Sequence, residues 1–165
     1  MLVSGPTNNG NGSMDYDGAC EVTGGTLAIA GSSGMAQSPG TSSSQNSITV
    51  IYSTVQAAGT LAALTDESGK TVLAFAPDKA YQSIVFSSPL LEQGKTYTLI
   101  SGGSCSGQLT GGLFTGGACS GGAKLTTVTI SGTVTRIADN GSAVTGGMGG
   151  MGGPGGRGGN MAPPK

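Results

Sequence analysis

The chain has 165 residues, 33 of them Gly; 36% are apolar, 9% are charged, and the formal net charge is −1. So much glycine and so little Glu, Lys and Arg exclude an ordinary helical protein, and the length suits one domain or slightly more. There is no His, the commonest general base and metal ligand, no Trp to stack on a sugar ring, no basic field to hold nucleic acid, and no apolar run long enough to span a membrane.

The apolar residues are mostly Val, Ile, Leu and Ala with few aromatics, so an all-β protein is expected. Its core should be thin and built from small side chains rather than a wide sandwich interior. Residues 1–46 read as short strands separated by Asn/Gly/Ser turns. The similar runs Val3-Ser4-Gly5-Pro6 and Val22-Thr23-Gly24-Gly25 recur at a spacing that fits rungs of a right-handed parallel β-helix. Two rungs are too few to stand alone, and no signal peptide opens the chain. The reading is therefore of the terminal rungs of a longer chain whose preceding rungs lie upstream of Met1.

Within this stretch the densest polar run is Thr7-Asn8-Asn9-Gly10-Asn11-Gly12-Ser13-Met14-Asp15-Tyr16-Asp17-Gly18. Asn and Asp oxygens on glycine-rich turns are what Ca²⁺ asks for, and the same residues also make plain turns; both readings stand. In a strand, Asp15 and Asp17 would share one face. The segment 1–60 carries Asp15, Asp17 and Glu21 and no Lys or Arg, so an anionic polymer could be held there only through a divalent metal. Glycosidase chemistry by the Asp pair is not expected, because nothing nearby would raise one pKa, and a lyase would need a Lys or Arg close by. The reading is of a protein that is not an enzyme. Tyr16, set among these polar groups, is the candidate to stack on a sugar, whereas Tyr52, Tyr81 and Tyr97 lie in or beside strand patterns.

Residues 47–138 should form an antiparallel β-rich cap. Strands are expected around Ile48–Tyr52, Val72–Phe75, Ser83–Phe86, Thr96–Ile100 and Thr126–Ile130, with hairpin loops at Asp66–Gly69 and Glu92–Lys95. Cys105 and Cys119 sit in similar Gly/Ser settings and either form a bridge or occupy serine-like positions; Cys20 has no partner on either reading. Residues 139–165, rich in Gly, Met and Pro, should be a disordered tail.

Residues 4–18, 23–37, 55–60, 75–77, 81–83, 87–89 and 94–97 together resemble the C-terminal repeats of the clostridial pectin-binding, adhesin-like β-helix family, whose members are called carbohydrate-binding domain-containing proteins. That resemblance implies a right-handed parallel β-helix on a secreted or surface-attached bacterial protein. It also implies Ca²⁺ sites at Asn/Asp turns and binding of an acidic plant polysaccharide such as polygalacturonate. Carried over residue by residue, Asn9, Asn11, Asp15 and Asp17 become the expected Ca²⁺ ligands, with calcium bridging protein carboxylates to uronate carboxylates. The alternatives are a structural or adhesin spacer domain and, further off, the remnant of a polysaccharide lyase.

Overall fold

In a computed structural model, described over residues 1–145, the chain is all-β. Five strands, β1 (Leu2–Ser4), β2 (Leu27–Gly31), β3 (Ser47–Gln56), β6 (Tyr81–Ser87) and β13 (Val134–Ala138), form one sheet in the order β1-β2-β6-β3-β13. Six others form a second, wholly antiparallel sheet. They are β4 (Ala62–Thr65), β5 (Thr71–Phe75), β7 (Thr96–Ser101), β9 (Gln108–Thr110), β10 (Leu113–Thr115) and β12 (Ala123–Thr129), in the order β12-β7-β4-β5-β10-β9. A two-stranded ribbon pairs β8 (Ser104–Cys105) with β11 (Cys119–Ser120).

The first sheet is mixed. β1 pairs with β2 in parallel and β13 with β3 in parallel, while β6 runs antiparallel between β2 and β3. Two parallel connections without a helix result: residues 5–26 carry the chain from β1 back to β2, and residues 32–46 from β2 to β3. The first of these coils lies on the second. Main-chain bonds join Gly5 to Ala30, Ser32 to Pro6, Gly40 to Cys20 and Gln45 to Val22. The approach is close enough that a Cβ at Gly34 would overlap the main chain of Asn9, so only glycine fits there. One rung-like stack is therefore present, but inserted β6 and the antiparallel second sheet mean that the sheets make neither a closed barrel nor a solenoid among the described residues.

The expectation of a thin, small-residue core is overturned. The two sheets face each other over one cluster that includes Ala28, Ile48, Val50, Ile84 and Phe86 from the first sheet and Ala62, Leu64, Phe75, Leu99 and Val128 from the second. Five of the seven aromatic residues, Tyr52, Phe75, Tyr81, Phe86 and Tyr97, meet inside it. Composition had counted the aromatics as scarce; strand alternation gathers them on the two inner faces. The outer face of the first sheet is covered by the N-terminal coils, where Met14 packs with Leu27, Ile29 and Val85. That of the second is covered by the 102–122 excursion, whose Cys105, Phe114 and Cys119 lie against Leu61, Ala63 and Ala74.

The Asp66–Gly69 hairpin is present, with Gly69 in the left-handed region at φ 83° as such a turn requires. The Glu92–Lys95 loop is not a hairpin: it crosses from β6 in one sheet to β7 in the other. Leu91, buried between the sheets, draws it across, and the Tyr97 hydroxyl donates to Leu90 O and accepts from Glu92 N. At the far end of the chain, the main-chain N–H of Asp139 bonds Ile51 O and Ile137 bridges to Ala143. The rest of the low-complexity tail, from 146 onward, lies outside the described residues.

Tyr52 and Tyr81 meet edge to face in the core at 5.4 Å, and the Tyr52 hydroxyl is buried with no hydrogen-bond partner among the described residues. Burial pushes the Tyr52 phenol well above its usual range and that of Tyr81 up to about 12. Since an unfolded tyrosine titrates near ~10, the stability these neutral phenols contribute is complete below about pH 10 and is lost as pH rises from there. Tyr52→Phe is expected to leave neutral-pH stability unchanged or raised by up to about 1 kcal/mol, because an unpaired buried hydroxyl is removed, and to flatten the alkaline loss. Urea midpoints taken across the alkaline range would check both; a steeper loss in the variant would contradict the argument.

Candidate functional site

The 8–18 run is irregular coil rather than strand, so the same-face argument for Asp15 and Asp17 does not hold through strand geometry. Burial nevertheless alternates in the same sense. Met14 is buried, Asp15 exposed, Tyr16 half-buried and Asp17 exposed. Tyr16 is the anchor. Its main-chain N–H donates to Gln37 Oε1 at 2.9 Å, its hydroxyl donates to Ser38 O at 2.7 Å, and its ring packs against the Met14 cluster. Burial first, and then the nearby Cys20 thiol, push this phenol upward. A hydroxyl so engaged fixes the coil, leaving the two flanking carboxylates on a rigid frame.

The Asn residues serve the same stack. Asn9 Oδ1 accepts from Gly34 N at 3.1 Å, and Asn11 O accepts from Ser32 Oγ at 2.7 Å. Asn8, not singled out by spacing, closes its own turn by accepting from Gly10 N. The structure thus sets the Asn9 side chain and the Asn11 main-chain carbonyl toward the second coil and leaves Asp15 and Asp17 exposed. Among the described residues no three His, Cys, Asp or Glu side chains gather into one cluster. If calcium binds here, the protein offers two carboxylates and the spare lone pairs of Asn oxygens, and water or a ligand's own oxygens must complete its roughly six to eight contacts. That suits an ion shared between protein and ligand better than one caged by protein.

The second coil is held on the sheet by Arg136 of β13, whose Nη1 donates to Ala36 O and Ser38 Oγ. Beside it Met35 takes the left-handed conformation, φ 56°, uncommon for a residue with a side chain.

A second feature escaped the sequence reading. A cleft of about 450 Å³ opens between the Asp66–Lys70 turn and the crossing loop, with Glu67, Lys70, Glu92 and Lys95 on its walls. In the sequence these residues stood only as loop markers, and their charge mixture was the available signal. Asp66 closes its own turn, accepting from the N–H groups of Ser68 and Lys70 and from Ser68 Oγ, and the Ser68 hydroxyl, first among these, lowers its pKa.

Cys105 and Cys119 form a disulfide across the β8–β11 ribbon, and Cys20 is a free thiol. Comparison with protein-family models, with curated proteins and with solved structures finds no match to this chain.

Proposed function

We propose that the chain is an extracellular carbohydrate-binding module in which Ca²⁺, held by Asp15 and Asp17, links the protein to the carboxylates of an acidic polysaccharide. One observation carries this reading: two exposed carboxylates flank a tyrosine pinned at both its main chain and its hydroxyl. Like charges two residues apart on one exposed coil favour a divalent cation between or beside them. The segment 1–60 itself carries no Lys or Arg, and the one cation packed on these coils, Arg136, is engaged with Ala36 O and Ser38 Oγ, which favours a metal as the bridge to a polyanion. The resemblance of residues 4–18 to pectin-binding β-helix proteins points the same way. The disulfide supports an oxidising, extracytoplasmic location. No catalytic role is assigned.

Calorimetric titration of calcium is expected to give a stoichiometric heat that disappears in Asp15→Asn/Asp17→Asn, with retention on polygalacturonate lost in that variant and in chelator. Retention that survives both treatments would remove the calcium bridge. A second reading, a structural or adhesin spacer, has its own observation in the hydrogen-bonded coil stack, which is built for extension rather than recognition. Silence on a broad glycan array with an intact fold would favour it.

A further inference from the structure

Next to the 450 Å³ cleft lies another of about 390 Å³, and the two share Lys70, Thr71, Val72 and Leu90. They make one elongated groove running from the start of β7, across the start of β5, to the β10 segment of the 102–122 excursion. At its centre Leu90 stands 59% exposed, an apolar side chain between polar walls.

The walls are fixed. Tyr97 ties down the loop that carries Leu90 and Glu92. The Asp66 turn sets Glu67 and Lys70. Cys119 N donates to Thr71 Oγ1, which holds the excursion and its Phe114 in place as the far wall. A β-bulge, where the register shifts between Leu64 and Thr65, falls opposite Thr71–Leu73 in the groove wall. Such a site loses little entropy when filled.

Its charges select the ligand. Each wall of the cleft carries one acid and one base, Glu67 with Lys70 on the turn and Glu92 with Lys95 on the crossing loop, with Asp66 engaged in its own turn. No hydrogen bond joins these ammonium and carboxylate groups among the described residues, so they remain available. Carboxylates disfavour a phosphate or polyuronate, and ammonium groups disfavour a cation. A ligand whose hydroxyls donate to Glu67 and Glu92 and accept from Lys70 and Lys95, with C–H faces lying on Val72 and Leu90, satisfies both sets. Hydroxyl side chains from Thr71, Thr96 and Thr115 add to the lining.

We infer that this groove is a second carbohydrate site, independent of metal, that takes an uncharged, hydroxyl-rich stretch of glycan chain. It does not rest on the calcium reading and survives the failure of that reading.

The experiment is an amide NMR titration of the full chain, in excess chelator, with neutral gluco-, galacto-, xylo- and manno-oligosaccharides, polygalacturonate fragments and a mixed-charge peptide. At least one neutral glycan should give saturable shifts at Lys70–Val72, Leu90–Lys95 and Leu113–Thr115. Affinity should fall about tenfold in Lys95→Ala and in Glu92→Gln, each a lost charged hydrogen bond, and be unchanged in Asp15→Asn/Asp17→Asn. Both groove variants are surface changes, and a thermal melt on each confirms the fold. Absence of saturable shifts at the groove with every neutral glycan, shifts confined to residues 8–18, or shifts by the peptide alone would overturn the inference.

Discussion

Phe86→Ala should lower the stability of the folded chain by about 3–5 kcal/mol and its melting temperature by about 10 °C or more. Phe86 lies on β6, the strand between β2 and β3, and its ring is fully buried between the two sheets. Removing a ring at that position deletes its transfer free energy and leaves a cavity. The strands on both sides of β6 are hydrogen-bonded to it and cannot collapse inward without breaking ladders. Its neighbour along the strand, Val85, points to the opposite face and packs under the N-terminal coil with Met14 and Ile29. Val85→Ala removes less volume, and about 1–3 kcal/mol is expected. Paired urea denaturation curves of the two variants make the test. A thin core of small side chains predicts similar, small losses; a sandwich predicts a Phe86 loss clearly larger than the Val85 loss.

Those two residues also show what the sequence could and could not convey. β-Branched runs marked β3, β5, β6, β7 and β12, because alternation and side-chain shape are local properties that survive in the written chain. Which face meets which sheet is not local. Ile48-Thr49-Val50-Ile51-Tyr52 looks the same whether its neighbour is a parallel rung or antiparallel β6, and β6 arrives only after β4 and β5 have been laid down in the other sheet. The insertion of β6 between β2 and β3 therefore left no trace in the spacing of residues 1–46, and the Val3/Val22 repeat marks no rung: Val3 pairs with Ile29 in β2 and Val22 lies in coil, although the two coils do stack. The candidate site divides along the same line. Asp15 and Asp17 could be read as exposed acids from their types alone. The roles of Asn9 and Tyr16 depend on Gly34, Gln37 and Ser38 in the next coil and could not. The groove was the least legible feature, since its charges come from two loops that the fold brings together at the end of the sandwich.

Reduction of the Cys105–Cys119 bridge should cost about 3 kcal/mol, the loop-closure value for a bridge spanning 14 residues, and lower the melting temperature by about 10 °C. The reason lies in how little else holds the excursion. β10 meets β5 at a single register pair, Leu113 with Phe75, supported by Ala76 N to Gly112 O and Cys119 N to Thr71 Oγ1. Its apolar contacts are Leu113 at the edge of the main core and Phe114 and the two cysteines themselves against Leu61, Ala63 and Ala74. Without the bridge the excursion should open far below the global unfolding free energy, and the alanine-rich outer face of the second sheet should lose its cover. Hydrogen exchange resolves this from general loosening. In the reduced protein and in Cys105→Ser/Cys119→Ser, protection should fall across 102–122 and at Ala63 and Ala74. Protection at Ile84 and Phe86, on the other sheet, should fall only with the global stability. Equal loss in both places would mean that the bridge braces the whole sandwich and that the excursion opens only when the sandwich does. Because the far wall of the groove belongs to that cover, opening it should also weaken any glycan bound there while leaving calcium at Asp15 and Asp17 untouched, which separates the two sites by a change made at neither.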